Sequence, residues 1–296
     1  MTLEFIPIHK DFGAEVRGAD LTLELSEEAF SEIYAAYFRY GLLLFRGERL
    51  TPAQQAAFTA RFGEPKIAPR KQFNVPDQQE ISVLGNLRAE DGTPLAFLNR
   101  QGVEWHSDTA GNEDPDGITF LHAIEVPRAG GETMFCSMVA AWEMLSDERK
   151  ADIAGRKVLH SFNHHNDKVL RIGPGTARPL TPEERAKYPD IWHDLVQVHP
   201  VTGRTLYFAS HNLVKAVTGV EGDPDAAESW IMELIDHATR PERVYVHAWS
   251  PGDLLMWDNR AMMHSATDVG PYEEDRRIMY RSSCRSVFTG AERVAD

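Results

Sequence analysis

The 296-residue sequence has only two cysteines, Cys136 and Cys284, so a framework of several disulfides is excluded. It also has no apolar run near the roughly 18 residues that a membrane helix needs, and no basic stretch followed by an apolar one at its N-terminus. These absences favour a reduced, cytoplasmic protein. The two cysteines are expected to be small buried residues in strands.

Positive charge is scarce as well. There are 31 Lys and Arg against 45 Asp and Glu, which gives a net charge of −14. Binding to nucleic acid or to an anionic membrane requires a basic field, so neither is expected as a main partner. A few arginines in one pocket can still dominate locally, which leaves a small anionic organic substrate possible. The oligomeric state stays open, and a homo-oligomer is compatible with the sequence.

The hydrophobic pattern consists of many short strand-like runs with few βαβ alternations, which favours a mainly β fold with flanking helices. Helices are predicted at residues 26–39 and 51–62, where Ser26 and Thr51 are N-cap residues. Residues 66–101 show no regular pattern and predict a lid loop, because long loops in compact proteins are usually functional. No boundary resembles a linker, so residues 1–296 are expected to form a single domain.

A metal site is indicated by His106 and Asp108, which are two residues apart. On a strand, such residues point to the same face, so an imidazole nitrogen and a carboxylate oxygen would converge. His264 would complete a set of two histidines and one carboxylate, which is typical of non-haem Fe(II) oxygenases. Each histidine taken alone fits a core or surface position equally well, and a Zn hydrolase could use the same three ligands.

Arg277 and Arg281 would share one face of a strand. Burying two arginines is costly unless each meets an anion, so they predict a pocket for two anionic groups. The alternative is a solvated strand face. Thr133, which follows a Gly-Gly turn, could add a hydroxyl to the anion held by Arg277.

Together these features resemble the taurine dioxygenase and 2,4-dichlorophenoxyacetate dioxygenase family of Fe(II)- and 2-oxoglutarate-dependent dioxygenases. The resemblance covers nearly the whole chain. Its motifs lie at residues 13–21, 43–47, 51–63, 105–108, 130–133, 253–260, 264 and 277–281. It implies a double-stranded β-helix, also called a jelly roll or cupin-like fold.

The resemblance also implies roles for individual residues. His106, Asp108 and His264 would be catalytic as the ligands of Fe(II), which reacts with O₂. Thr133 and Arg277 would bind the distal carboxylate of 2-oxoglutarate, the cosubstrate. Related halogenases have Ala or Gly in place of the carboxylate ligand, so halogenation is disfavoured here.

The prime substrate is less well defined. The resemblance assigns its acidic group to Arg281. Ala68 and Lys71 occupy positions where taurine dioxygenase contacts the sulfonate, so taurine is doubtful. The C-terminal half is more similar to the phenoxyacetate branch, which favours a carboxylate. Arg70, Lys71 and His211 are further substrate-binding candidates, although Arg70 and Lys71 fit solvated loop positions equally well.

The function predicted from the sequence is hydroxylation of an unactivated C–H bond of a small anionic, carboxylate-bearing substrate, with release of succinate and CO₂. One alternative is the same oxidation ending in desaturation, cyclisation or C–X cleavage. Two others are the Zn hydrolase mentioned above and a non-catalytic binding module on the same scaffold.

Overall fold

The computed structural model describes residues 2–68, 70–97, 104–111, 116–172, 178–222, 224–268 and 275–285. Within these ranges the strands are β1 Glu4–Pro7, β2 Ala14–Arg17, β3 Leu42–Phe45, β4 Asn74–Val75, β5 Gln78–Gly85, β6 Ile118–Glu125, β7 Thr133–Ser137, β8 Lys157–His160, β9 Ile191–Asp194, β10 Val196–Val198, β11 Thr205–Tyr207, β12 Val214–Val217, β13 Tyr245–His247, β14 Leu254–Asp258, β15 Met262–Ala266 and β16 Ile278–Cys284. The α-helices are α1 Glu27–Tyr40, α2 Pro52–Ala60, α3 Met138–Glu143, α4 Asp147–Ile153, α5 Phe162–Ile172, α6 Pro182–Ala186 and α7 Pro224–Ala238.

Two sheets form the body of the fold. The large sheet has the order β1-β2-β3-β14-β6-β16-β5-β4, and a smaller one has the order β13-β7-β15. The pairs are antiparallel except β2 with β3. Strands distant in sequence thus become neighbours, as when β6 lies between β14 and β16. This is the predicted jelly roll with flanking helices.

Apolar side chains from both sheets pack together in the interior. Phe135 of β7 and Met262 of β15 meet Leu121, Leu255 and Trp257 of the large sheet, and all five are at most 6% exposed. The rings of Phe135 and Trp257 lie 5.3 Å apart, edge to face. Burying a side chain of this size contributes about 1.5–3 kcal/mol, so this packing fixes the strands that carry the site.

The N-terminal helices confirm the local signals in the sequence. The Ser26 hydroxyl accepts a hydrogen bond from the Ala29 N–H, and Gly41 ends α1 in the left-handed region at φ +70°. Thr51 and Gln54 form a reciprocal capping box at the start of α2. Both helices pack outside the large sheet through an apolar cluster that includes Ile33, Tyr37, Phe58, Phe62 and Phe120.

The segment assigned to a patternless loop contains regular structure. β5 lies within the large sheet between β4 and β16, and Lys71–Phe73 forms a 3₁₀ turn. Because partners on both sides supply its hydrogen bonds, β5 needs no strong strand signal of its own. Pro69 and residues 98–101 lie outside the described residues, and the lid role stays a prediction. The sequence pattern also missed α4 and α5.

Two smaller expectations can be compared with the structure. Cys136 and Cys284 are free thiols with no solvent exposure, and both lie in strands as predicted. None of the described helices is both long and apolar enough to cross a membrane.

Candidate metal centre

The structure brings His106, Asp108 and His264 together. One potential ligand atom from each lies within 4.8 Å of the others, and no other group of three such residues is found in the described part of the chain. His264 Nε2 is 3.9 Å from Asp108 Oδ1, and the two imidazole rings are 4.1 Å apart. His264 is 8% exposed, so the group lies largely inside the protein.

His106 and Asp108 do not lie on a regular strand, so that part of the sequence prediction was wrong. His106 forms one isolated bridge with His264, with N···O distances of 3.0 and 2.9 Å. The chain then turns, and Thr109 has a φ of +53°. The Ser107 hydroxyl donates to the Asn259 carbonyl, and the Asp108 N–H donates to Asn259 Oδ1. These bonds divert the chain from regular strand pairing. His106 and Asp108 therefore converge because of one bridge and a turn.

A hydrogen bond orients one histidine ring, and burial lowers the pKa of the other. His106 Nδ1 lies 2.8 Å from the Glu104 carbonyl, which can only accept, so Nδ1 carries a proton and Nε2 is the ring nitrogen left for a metal. Burial and the neighbouring His106 lower the pKa of His264 to about 3, so its imidazole is neutral at pH 7. A metal needs deprotonated ligands, and His264 meets that requirement.

Asp108 offers one oxygen to a metal. Its Oδ2 accepts from the Thr119 hydroxyl at 2.6 Å and from Arg281 Nη2 at 3.1 Å, while Oδ1 faces His264. Burial opposes ionisation, whereas the positive charge of Arg281 and the hydrogen bond from Thr119 favour it, and the pKa of Asp108 lies well below its usual value. The set of two imidazoles and one carboxylate fits iron(II) and leaves coordination positions for other ligands.

Arg281 belongs to a chain of alternating charges. Its Nη2 is 3.1 Å from both Asp108 and Asp116, and Asp116 also accepts from Lys66 at 2.6 Å. Burial opposes the charge on Arg281, but the two carboxylates raise its pKa further, so it stays cationic. Its Nε and Nη1 form no hydrogen bond within the described residues, so these N–H groups can bind another anion.

Thr133 and Arg277 lie around one turn. Thr133 is 3% exposed, and its hydroxyl oxygen accepts from Trp249 Nε1 at 3.0 Å. The Arg277 side chain passes Gly131, where a Cβ would come within 3.2 Å of its Nε. Because Gly131 has no side chain, the guanidinium can run past the turn that begins β7.

The remaining substrate candidates lie in different places. Arg70 and Lys71 are exposed, and the Arg70 guanidinium stacks on Phe97 at 3.9 Å. His211 is near the metal motif, since its N–H donates to the Trp105 carbonyl at 3.2 Å. Its Nε2 is 2.8 Å from Glu228.

Sequence reasoning missed four residues around the candidate metal ligands: Lys66, Asp116, Thr119 and Asn259. Asp116, Thr119 and Asn259 are at most 2% exposed. Their only local signal is a polar side chain in or beside a buried strand, and their partners lie up to 165 residues away. Lys66, rather than Arg70 or Lys71, is the loop cation linked to Asp108, through Asp116 and Arg281.

Comparison with known proteins agrees with this geometry. The family model described as "Taurine catabolism dioxygenase TauD, TfdA family" matches residues 4–283. The (S)-phenoxypropionate/alpha-ketoglutarate-dioxygenase of Sphingobium herbicidovorans is 32% identical over 94% of this chain and 93% of its own. The alpha-ketoglutarate-dependent 2,4-dichlorophenoxyacetate dioxygenase of Cupriavidus pinatubonensis is 32% identical over 92% and 95%, respectively.

A solved structure extends the likeness to the cofactors. The crystal structure of AAD-2 in complex with Mn(II) and N-oxalylglycine matches with a TM-score of 0.79 at 28% identity, covering 97% of this chain and 98% of that one. The predicted fold, enzyme class and use of iron and 2-oxoglutarate are confirmed. This chain belongs to the TauD/TfdA family and is an alpha-ketoglutarate-dependent dioxygenase.

Proposed function

We propose that this enzyme hydroxylates an unactivated C–H bond of a small carboxylate-bearing substrate and converts 2-oxoglutarate to succinate and CO₂. The observation that carries the proposal is the separation of two arginines. Arg281 contacts the metal ligand Asp108, whereas Arg277 lies against the turn that precedes Thr133. Two separate cations suit two anions, one from the cosubstrate and one from the substrate.

The metal ligands in this proposal are His106, Asp108 and His264. Bound iron(II) would supply the activation of O₂ coupled to decarboxylation of 2-oxoglutarate. The protein holds the His264 imidazole neutral and the Asp108 carboxylate ionised. Because Asp108 provides a ligand oxygen, it fills a position that a halide would otherwise need, which supports hydroxylation over halogenation.

The cosubstrate carboxylate would be bound by Thr133 and Arg277. The Thr133 hydroxyl accepts from Trp249, so its own proton is directed elsewhere, and within the described residues it donates to no protein group. A hydroxyl donor and a guanidinium together provide charge-assisted hydrogen bonds to a carboxylate.

The acidic group of the prime substrate would bind Arg281 through Nε and Nη1. The two carboxylates of Asp108 and Asp116 balance the positive charges of Arg281 and Lys66, so we expect recognition of one carboxylate rather than a doubly charged group. The relatives named for phenoxypropionate and 2,4-dichlorophenoxyacetate support a carboxylate. His211 is the further candidate that lies near the metal motif.

A substrate screen tests the proposal. Purified enzyme with Fe(II), 2-oxoglutarate and O₂ would be given aryloxyalkanoates, sulfonates, sulfate esters and amino-acid derivatives, with succinate as the readout. We expect a carboxylate to stimulate succinate release and to gain one oxygen by mass spectrometry, and the His106→Ala variant to be inactive. A product lacking two hydrogens would favour desaturation or cyclisation. Stimulation by sulfonates alone would contradict the carboxylate assignment.

A further inference from the structure

Asn259 links the two parts of the chain that supply the metal ligands. It follows β14, it is 1% exposed, and its side chain takes part in three hydrogen bonds. Its Oδ1 accepts from Trp257 Nε1 at 2.9 Å and from the Asp108 N–H at 3.3 Å. Its Nδ2 donates to Thr119 Oγ1 at 2.9 Å. Its carbonyl accepts from the Ser107 hydroxyl.

The chemistry of the partners fixes the direction of each bond. The Trp257 indole and the Asp108 backbone amide can only donate, so the oxygen of the Asn259 amide must face them. Its NH₂ group therefore points to Thr119. Since Thr119 Oγ1 accepts from Asn259, its single proton is left for Asp108 Oδ2, at 2.6 Å.

The outcome is a directed hydrogen-bond chain from Asn259 through Thr119 to Asp108. It holds Asp108 Oδ2 as an acceptor and leaves Oδ1 toward His264 Nε2, at 3.9 Å. We propose that Asn259 and Thr119 are positioning residues that preset the carboxylate ligand before the metal binds. This inference rests on the proposed metal role of Asp108.

We call Asn259 and Thr119, with the hydrogen bonds that they form, the clamp. The clamp also joins the segments that carry the proposed ligands. Asn259 holds Ser107 and Asp108 on one side and lies at the end of β14, which leads directly into β15 with His264. Trp257, bonded to the same amide oxygen, packs on His264 with ring centroids 4.8 Å apart. Outer partners of this kind typically change metal affinity about 10- to 100-fold when they are removed.

Thr119→Val is the sharpest test, because valine keeps the β-branched shape of a fully buried side chain and removes only the hydroxyl. Arg281 would then hold Asp108 Oδ2 alone. Mn(II) binding to the metal-free protein would be measured by calorimetry without 2-oxoglutarate or O₂. We expect the dissociation constant to rise about tenfold or more. Thr119→Ser, which keeps the hydroxyl, should stay within about threefold of wild type.

A second variant distinguishes weaker metal binding from a folding defect. Asn259→Ala removes the whole side-chain clamp, and its thermal midpoint would be measured alongside its Mn(II) affinity. Both variants should remain folded at the assay temperature and bind Mn(II) more weakly, with an altered visible spectrum of bound Co(II). A purely structural role would lower the midpoint and leave Mn(II) affinity and the Co(II) spectrum of the folded protein unchanged, which would overturn the proposal.

The wild-type control separates the two levels of inference. Wild-type protein that fails to bind Mn(II) would overturn the metal role itself. Wild-type binding combined with an unchanged Thr119→Val variant would overturn only the clamp.

Discussion

Replacing Thr133 by valine isolates one predicted contact with the cosubstrate. Thr133 lies at the start of β7 and is 3% exposed, so the volume of the side chain matters and valine preserves it. The change removes the acceptor for Trp249 Nε1, at 3.0 Å, and the hydroxyl proton assigned to the carboxylate of 2-oxoglutarate. The three metal ligands are untouched.

The expected magnitude follows from these two bonds. A hydrogen bond to a charged group contributes about 1.5–3 kcal/mol, and about 1.4 kcal/mol corresponds to tenfold in affinity. Thr133→Val should therefore weaken 2-oxoglutarate binding about 10- to 150-fold. The lost Trp249 bond is neutral, so it should lower the free energy of unfolding by only about 1 kcal/mol.

The assay is a titration of the anaerobic Fe(II) protein with 2-oxoglutarate, followed by the visible charge-transfer band. Mn(II) affinity, measured separately, should match wild type, and Thr133→Ser should restore most of the cosubstrate affinity. If Thr133→Val bound 2-oxoglutarate as tightly as wild type, the assignment of the hydroxyl would be refuted. If Mn(II) affinity fell to the same extent, the loss would reflect the metal site instead.

Three further predictions concern other parts of the molecule. Arg281→Lys keeps a cation opposite Asp108 but loses the planar guanidinium fork. In steady-state kinetics we expect KM for the prime substrate to rise about tenfold and KM for 2-oxoglutarate to change less than about threefold. An equal rise in both KM values would contradict the assignment of Arg281 to the prime substrate. Gly131→Ala places a Cβ 3.2 Å from Arg277 Nε at a φ of +73°, so calorimetry should show weaker 2-oxoglutarate binding, with Mn(II) binding preserved; unchanged affinity for 2-oxoglutarate would count against a role of Arg277. Burial raises the pKa of Glu48 from 4.5 to about 7, so ionisation opposes folding: the penalty is absent below pH 4.5 and complete above about pH 7. Allowing for partial solvent screening, Glu48→Gln should raise the free energy of unfolding by about 1–3 kcal/mol at pH 8 and leave it unchanged at pH 4. Urea titrations at the two pH values measure this. An equal rise in the free energy of unfolding at both pH values would disprove ionisation of Glu48 as the cause.

Signals that act over a few residues were readable from the sequence. Ser26 and Thr51 cap their helices through N–H groups three residues away, so the capping residues and the helix starts were predicted correctly. The spacing of His106 and Asp108 marked two candidate ligands. His264 was proposed as the third ligand, and Arg277 and Arg281 as binding two anions, from the residues themselves. The family resemblance assigned the partners of each, and its prediction of enzyme class and cofactors is confirmed.

Structural features that depend on contacts between distant segments could not be predicted from the sequence. β5 has a mixed polar sequence and becomes a strand because β4 and β16 bond to it on either side. The 106–108 segment was expected to be a strand, but hydrogen bonds from Ser107 and Asp108 to Asn259, about 150 residues later, divert it into a turn.

The sequence by itself determined the residue types of the candidate metal site, the boundaries of α1 and α2 to within a few residues, and the mainly β character of the chain. Only the tertiary structure decided which oxygen of Asp108 faces His264, and that Arg281 is paired with Asp108 and Asp116. The physical reason is that ligand identity follows from side-chain chemistry, which each residue carries locally. The protonation and orientation of those ligands depend on neighbours that only folding brings within hydrogen-bonding distance.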